Sequence, residues 1–155
     1  MSTSDEHLAI LFIVAFPFAF IALGWLVLKL LHLLSGWEWL ENKYPDRVDN
    51  ALWRISRVSG VMGNAPPFGT SLSRTLTLEV CDAGIRVRNG FPFSLLWHPF
   101  FVPYEEIEIR SHHILFRYYV KMIFGRPEVG NLALRPSAAA KLARASQGKL
   151  DLPCA

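Results

Sequence analysis

The chain has 155 residues, of which 52% are apolar and only 19% charged, with a net charge of +3 and a mean hydropathy of +0.26. Soluble domains average about 45–50% apolar and about 25% charged, so this balance leans toward the membrane. With 11 Phe, 5 Trp and 4 Tyr, a disordered chain is excluded. The length allows one domain with an appendage and excludes a multi-span transporter fused to a soluble domain.

Residues 1–7 (MSTSDEH) read as an acidic extracytoplasmic tail. Residues 8–34 read as a transmembrane helix. From Leu8 to Leu28 no residue is charged, and a helix of that length spans roughly 30 Å, the thickness of a hydrocarbon core. A buried helix of a soluble core is seldom apolar on every face for so long. A cleaved signal peptide would need a basic n-region and a small-x-small site, and neither is found, so the segment is expected to stay. Pro17 predicts a kink, and Gly24 has no small partner four residues away, so there is no GxxxG dimer face. Trp25, Lys29, Trp37 and Trp39 are the expected interfacial anchors, the lysine by snorkelling. Acidic residues precede the span, whereas Lys29, Lys43, Arg47, Arg54 and Arg57 follow it. The positive-inside rule therefore puts the N-terminus outside and the C-terminal part in the cytoplasm. Cys81 and Cys154 then lie in a reducing compartment and in no metal-ligand spacing.

Residues 35–45 predict a short juxtamembrane helix lying in the headgroup region. Ser35 and Glu38 have the spacing of a capping box, Trp37, Leu40 and Tyr44 share one face, and Pro45 is the stop. From residue 46 the apolar period shifts from 3.6 to 2. Leu52–Val58 predicts a first strand, and residues 59–71 (SGVMGNAPPFGTS) a long loop. Leu76, Leu78 and Val80 predict a second strand, and Ile85–Arg88 a third with its arginines facing out. Asn89-Gly90 is a turn signal. The aromatic run 91–102, broken by Pro92 and Pro99, predicts an irregular or edge strand. Strands over 105–112, 117–124 and 129–134 follow. A helix then has Ser137 as N-cap, Ala138, Leu142 and Ala145 as its buried stripe and Gly148 as its stop. Residues 149–155 are a tail. The fold class is thus a membrane-anchored α+β chain: one N-terminal transmembrane helix, a short interfacial helix, and a seven-stranded, mostly antiparallel domain over 46–148 closed by a C-terminal helix.

That element order is the order of the pleckstrin-homology superfold. The stretches GWEWLENKYP and LTLEVCDAGIRVRNGFPFSLLWHPFFVPYEEI, with Pro103 to Ile107 the sharpest part, resemble a group of bacterial single-pass membrane proteins with a cytoplasmic pleckstrin-homology-like domain. The resemblance covers about residues 30–110. It implies a place in the cell inner membrane and brings no catalytic or ligand residues with it.

Chemistry-bearing residues are sparse. His7 and His32 flank opposite ends of the span, and adjacent His112 and His113 point to opposite strand faces. His98 with one of that pair gives two metal ligands at most, so no metal or cofactor is expected. His32 is the one residue placed to meet a pigment or haem of a neighbouring subunit. Glu106 and Glu108 share a strand face with Arg110, the pattern of a solvated ion-pair ladder. Cys81 reads as a packing residue, and no phosphate loop or nucleophile elbow is present. An enzyme is therefore not expected, nor a nucleic-acid partner, because no basic stripe with interleaved aromatics appears. The leading expectation is a non-enzymatic membrane-anchored module that binds a protein partner at the cytoplasmic membrane face. The alternatives are a small accessory subunit of a large energy-transducing (respiratory or photosynthetic) complex, and anionic phospholipid-headgroup binding through Arg74, Arg86 and Arg88.

Overall fold

A computed structural model describes residues 3–63, 69–114 and 117–150. Cys154, the middle of the predicted loop at 64–68, and the outer parts of both tails lie outside the described residues.

Helix α1 (Thr3–Ser35) runs unbroken through Pro17. Its segment Ile10–Ser35 is long and apolar enough to cross a membrane, and the most apolar part has no contact with the molecule's interior. Phe12, Phe16 and Phe20 stack along one face with ring centroids 6.4 Å apart.

The predicted capping box does not form. Ser35 is still helical, donating its hydroxyl to the His32 carbonyl at 2.9 Å and accepting from the Trp37 N–H at 3.3 Å. The break falls on Gly36 at φ +72°, a left-handed conformation that suits the one residue without a Cβ. Helix α2 (Trp37–Lys43) follows, with Tyr44 as its C-cap and Pro45 just beyond. Trp37, Leu40 and Tyr44 do share a face, but that face is not offered to headgroups. Trp37 is 0% exposed and packs edge-on to Phe100 at 4.8 Å and against Trp97 at 5.0 Å. Trp39 points the other way and is 69% exposed. The apolar face of α2 belongs to the core of the domain.

Seven antiparallel strands form one sheet in the order β4-β3-β2-β1-β7-β6-β5. They are β1 (Ala51–Met62), β2 (Thr70–Cys81), β3 (Gly84–Asn89), β4 (Phe100–Pro103), β5 (Ile107–Ile114), β6 (Arg117–Phe124) and β7 (Gly130–Leu134). β1 and β2 extend well into the stretch that the breaker residues mark as loop. The reason is visible at Gly60, which pairs with Leu72 of β2 and Leu134 of β7. A Cβ there would sit 2.7 Å from the Leu132 side chain and 3.1 Å from that of Leu76. The glycine is a seam residue where three strands close up, not a turn residue. Register shifts flank Val58, and Arg57 (φ 58°) and Arg74 (φ 57°) take left-handed conformations on the two facing strands, which bends the long hairpin.

Helix α3 (Pro136–Ala145) lies against β1 and β6, while α2 lies against β4 and β7. Pro136 occupies the first turn and Arg135 is the N-cap, so Ser137 is helical rather than capping. Leu142 is buried as predicted. Ala139 is the second fully buried residue, with Ala138 and Ala145 half-buried at the margins. Met62, Leu72, Leu78, Phe100, Phe124 and Leu132 complete the core between sheet and helices.

Candidate functional site

The alternation along β1, β2 and β3 decides what meets on the solvent side of the sheet. Ile55, Leu78 and Val87 are neighbours in register, and Leu78 and Val87 are fully buried in the core. One residue away, Arg54, Glu79 and Arg86 are in register on the opposite face, with Thr77 opposite Arg88 in the next pair. The result is a carboxylate enclosed by three guanidinium groups. Arg54 donates to Glu79, Arg86 lies 3.2 Å from it, and Arg88 3.6 Å. The Glu79 side chain is 1% exposed.

Arg86 is held from a second side by Asp46 at 2.6 Å and by the Arg47 carbonyl, so the segment after α2 is strapped across the sheet. The expected outward-facing Arg86 is thus corrected: its side chain is 12% exposed and spent on internal partners. Arg54 and Arg88 keep about half of their surface in solvent. Arg74 is not brought to this cluster; it is exposed on β2, its N–H donating to Ser59 Oγ at 3.0 Å.

Burial pushes the Glu79 carboxyl up, but the hydrogen bonds from Arg54 and Arg86 outweigh it and hold the group below the ordinary carboxylate value. Three cations against two carboxylates leave one positive charge unbalanced. The outer parts of Arg54 and Arg88 border a cavity of about 340 Å³, which Asn89, Ser94 and Trp97 also line.

A second cluster sits where α1 meets the domain. His32 Nε2 and His98 Nδ1 lie 3.5 and 3.8 Å from the two oxygens of Glu41, and the His32 ring packs on Trp97 at 5.6 Å. So His98 meets His32 and an acid, rather than His112 or His113. Among the described residues no group of three or more His, Cys, Asp or Glu has a geometry that could hold a metal ion.

The remaining candidate groups are engaged in structural pairs. Glu106 is not on a strand face with Glu108. It lies in a 3-10 turn and accepts from the Tyr44 hydroxyl, and burial together with that carboxylate holds Tyr44 protonated far above the ordinary tyrosine range. Glu108 does pair with Arg110, at 2.7 Å on the surface. Cys81 is buried, and burial pushes its thiol up, so little thiolate exists at neutral pH. Tyr104 donates to the Cys81 carbonyl at 2.8 Å, and burial pushes its hydroxyl up to about 12. Of the expected interfacial anchors, Trp25, Lys29 and Trp39 are exposed, whereas Trp37 is in the core.

Arg54, Thr77, Glu79 and Asn89 are the residues that sequence reasoning misses. The signal was there: a single acid in the strand LTLEV beside the strand IRVRN. Comparison of the chain with protein-family models, with curated proteins and with solved structures gives no match.

Proposed function

We propose that the chain is a non-enzymatic, membrane-anchored interaction module. In this reading α1 spans the inner membrane with its N-terminus outside, and a pleckstrin-homology-like domain binds a protein partner at the cytoplasmic face. The observation that carries it is the join at Gly36. An apolar helix whose most apolar stretch has no buried residue runs, one residue after Ser35, into Trp37 and Leu40 of the domain core, so helix and domain join without a linker. The strand order 4-3-2-1-7-6-5 closed by α3 supports the pleckstrin-homology-like fold. Asp5 and Glu6 before the apolar stretch of α1, and Lys43, Arg47, Arg54 and Arg57 after it, support the orientation.

β5 forms one edge of the sheet, whereas the β4 edge is partly covered by Tyr44 and Pro45. That favours β5 for partner docking by strand addition. A photo-cross-linker at Ser111 on β5 is expected to give a discrete adduct in cells, and one at Lys141 on α3 none. Equal adducts, or none, would sink this choice of edge. In a chain whose own cysteines are replaced by serine, a single cysteine at position 2 should react with an impermeant thiol reagent on intact cells and one at position 147 should not. The reverse pattern would put the domain outside.

The accessory-subunit reading is favoured by the Phe12, Phe16 and Phe20 face of α1, a surface suited to packing on neighbouring helices. A sharp native-gel band far above 17.6 kDa after mild detergent extraction would establish it over the first.

A further inference from the structure

We propose that the loop between β3 and β4 is a second membrane element, whose tip from Phe91 to Leu96 sits among lipid acyl chains beside α1. The domain would then be seated in the bilayer surface as well as tethered to it. Between Arg88 and Glu105 the chain contains no Asp, Glu, Lys or Arg. Phe91 is 78% and Leu95 61% exposed, so the tip carries large apolar side chains that the domain leaves uncovered. Trp97, at the end of the loop, packs on His32 near the end of α1 at 5.6 Å. From there back toward its tip the loop follows α1 into the apolar stretch. Pro92 borders an apolar cleft with Phe20, Leu23, Val27 and Leu28.

The depth of that contact follows from the length of the helix, and this step rests on the membrane reading of α1. A hydrocarbon core is about 30 Å thick, and a helix rises about 1.5 Å per residue. Counted from Leu8, just after Asp5, Glu6 and His7, the core is filled only near Val27. A core that ended before Phe20, leaving Pro92 in water, would have to take in Asp5 and Glu6 at its other side. The part of α1 that Pro92 borders is therefore at acyl-chain level, while His32, Glu41 and His98 mark the headgroup level. Non-helical backbone is tolerated at such depth only where its polar groups are paired. The N–H groups of Ser94, Leu95, Leu96 and Trp97 donate to carbonyls within the loop, at 3.1, 3.2, 3.1 and 2.9 Å. The N–H of Gly90 donates to the Thr75 carbonyl at 2.7 Å, and Pro92 has none to pair. The loop thus carries apolar side chains on a backbone largely closed on itself, as insertion requires.

The test uses the full chain with its own cysteines replaced by serine, reconstituted in phosphatidylcholine bilayers. One spin label at a time is attached at L95C in the loop, L23C in α1 or K141C on α3. Collision of the label with oxygen, which concentrates in hydrocarbon, is compared with collision with a nickel chelate confined to water. The oxygen-to-nickel ratio is expected to be at least tenfold higher at 95 and at 23 than at 141. A high ratio at 23 with a ratio at 95 no higher than at 141 would overturn the insertion and leave the span intact. Low ratios at all three positions would overturn the membrane reading of α1 and the insertion with it. A label at 95 that neither reagent reaches would mean that protein covers the loop, and would overturn the lipid contact.

Discussion

Trp37 donates its indole N–H to the backbone carbonyl of His98 at 2.8 Å, across 61 residues of chain. This bond ties the first turn after the apolar helix to the strand entering the far edge of the sheet. Replacing Trp37 by Ala removes the bond and opens a cavity among Trp97 and Phe100, and should cost about 3–5 kcal/mol. Trp39→Ala, on the exposed face of the same helix, should stay within about 0.5 kcal/mol. Thermal midpoints in neutral detergent compare the two. Equal losses would mean that α2 is not docked as described.

The limits of the folding unit follow from the same packing. A chain starting at Ser35 retains Trp37, Leu40 and Tyr44 and should unfold in one cooperative transition. A chain starting at Asp46 loses all three core residues and should lack that transition and bind a hydrophobic dye. Calorimetry and near-UV dichroism read this directly, and cooperative unfolding of the shorter chain would contradict the placement of α2 in the core.

The Glu79 carboxyl has its native value held below the ordinary one of 4.5. As pH falls, the unfolded chain takes up the proton first, so the stabilisation is complete above the unfolded value and is lost as pH drops through the native one. Glu79→Gln leaves Arg54, Arg86 and Arg88 without their shared counter-charge. It should cost about 2–4 kcal/mol at pH 7, somewhat less than a fully enclosed pair because two of the arginines reach solvent. The gap between the two proteins should then narrow as pH is lowered from about 5 past 4.5. Chemical denaturation across that range checks it; a constant gap would show that Glu79 is not ionised in the native state.

Gly60→Val tests the seam. The added side chain starts 2.7 Å from Leu132 and 3.1 Å from Leu76, and the backbone oxygen of Ala133, at 3.2 Å, cannot swing aside. A loss of about 1–3 kcal/mol is expected from overpacking, visible as a lower denaturation midpoint at unchanged slope. An unchanged midpoint would mean that β1 and β7 do not close at this residue.

The apolar helix, the strand at 117–124 and the C-terminal helix were legible because each has a clear period or an uninterrupted apolar run. The length of β1 was not, since Ser59-Gly60 reads as a breaker while its real constraint is a neighbour 74 residues away. Periodicity likewise showed that Trp37, Leu40 and Tyr44 share a face. It does not say whether protein or lipid covers that face, because both are apolar. The arginine cluster was half visible: Arg86 and Arg88 stood out, but Arg54 and Glu79 join them only through the pairing register. The cap at Gly36 replaced Ser35 because a left-handed residue ends one helix and opens the next in a single step.

The pairing of β1 with β7 also sets a clock on biogenesis. Gly60 cannot meet Leu134 until that residue has left the ribosome, and at about 5–20 residues per second the interval is roughly 4–15 s. The apolar helix is finished well before then and is available to the insertion machinery while the sheet still lacks its centre. The nascent strands β1 to β4 must therefore wait, with an open edge on β1, until β7 is made. Arrested nascent chains ending before β7 should be readily cleaved by added protease, and chains extending past α3 should resist it.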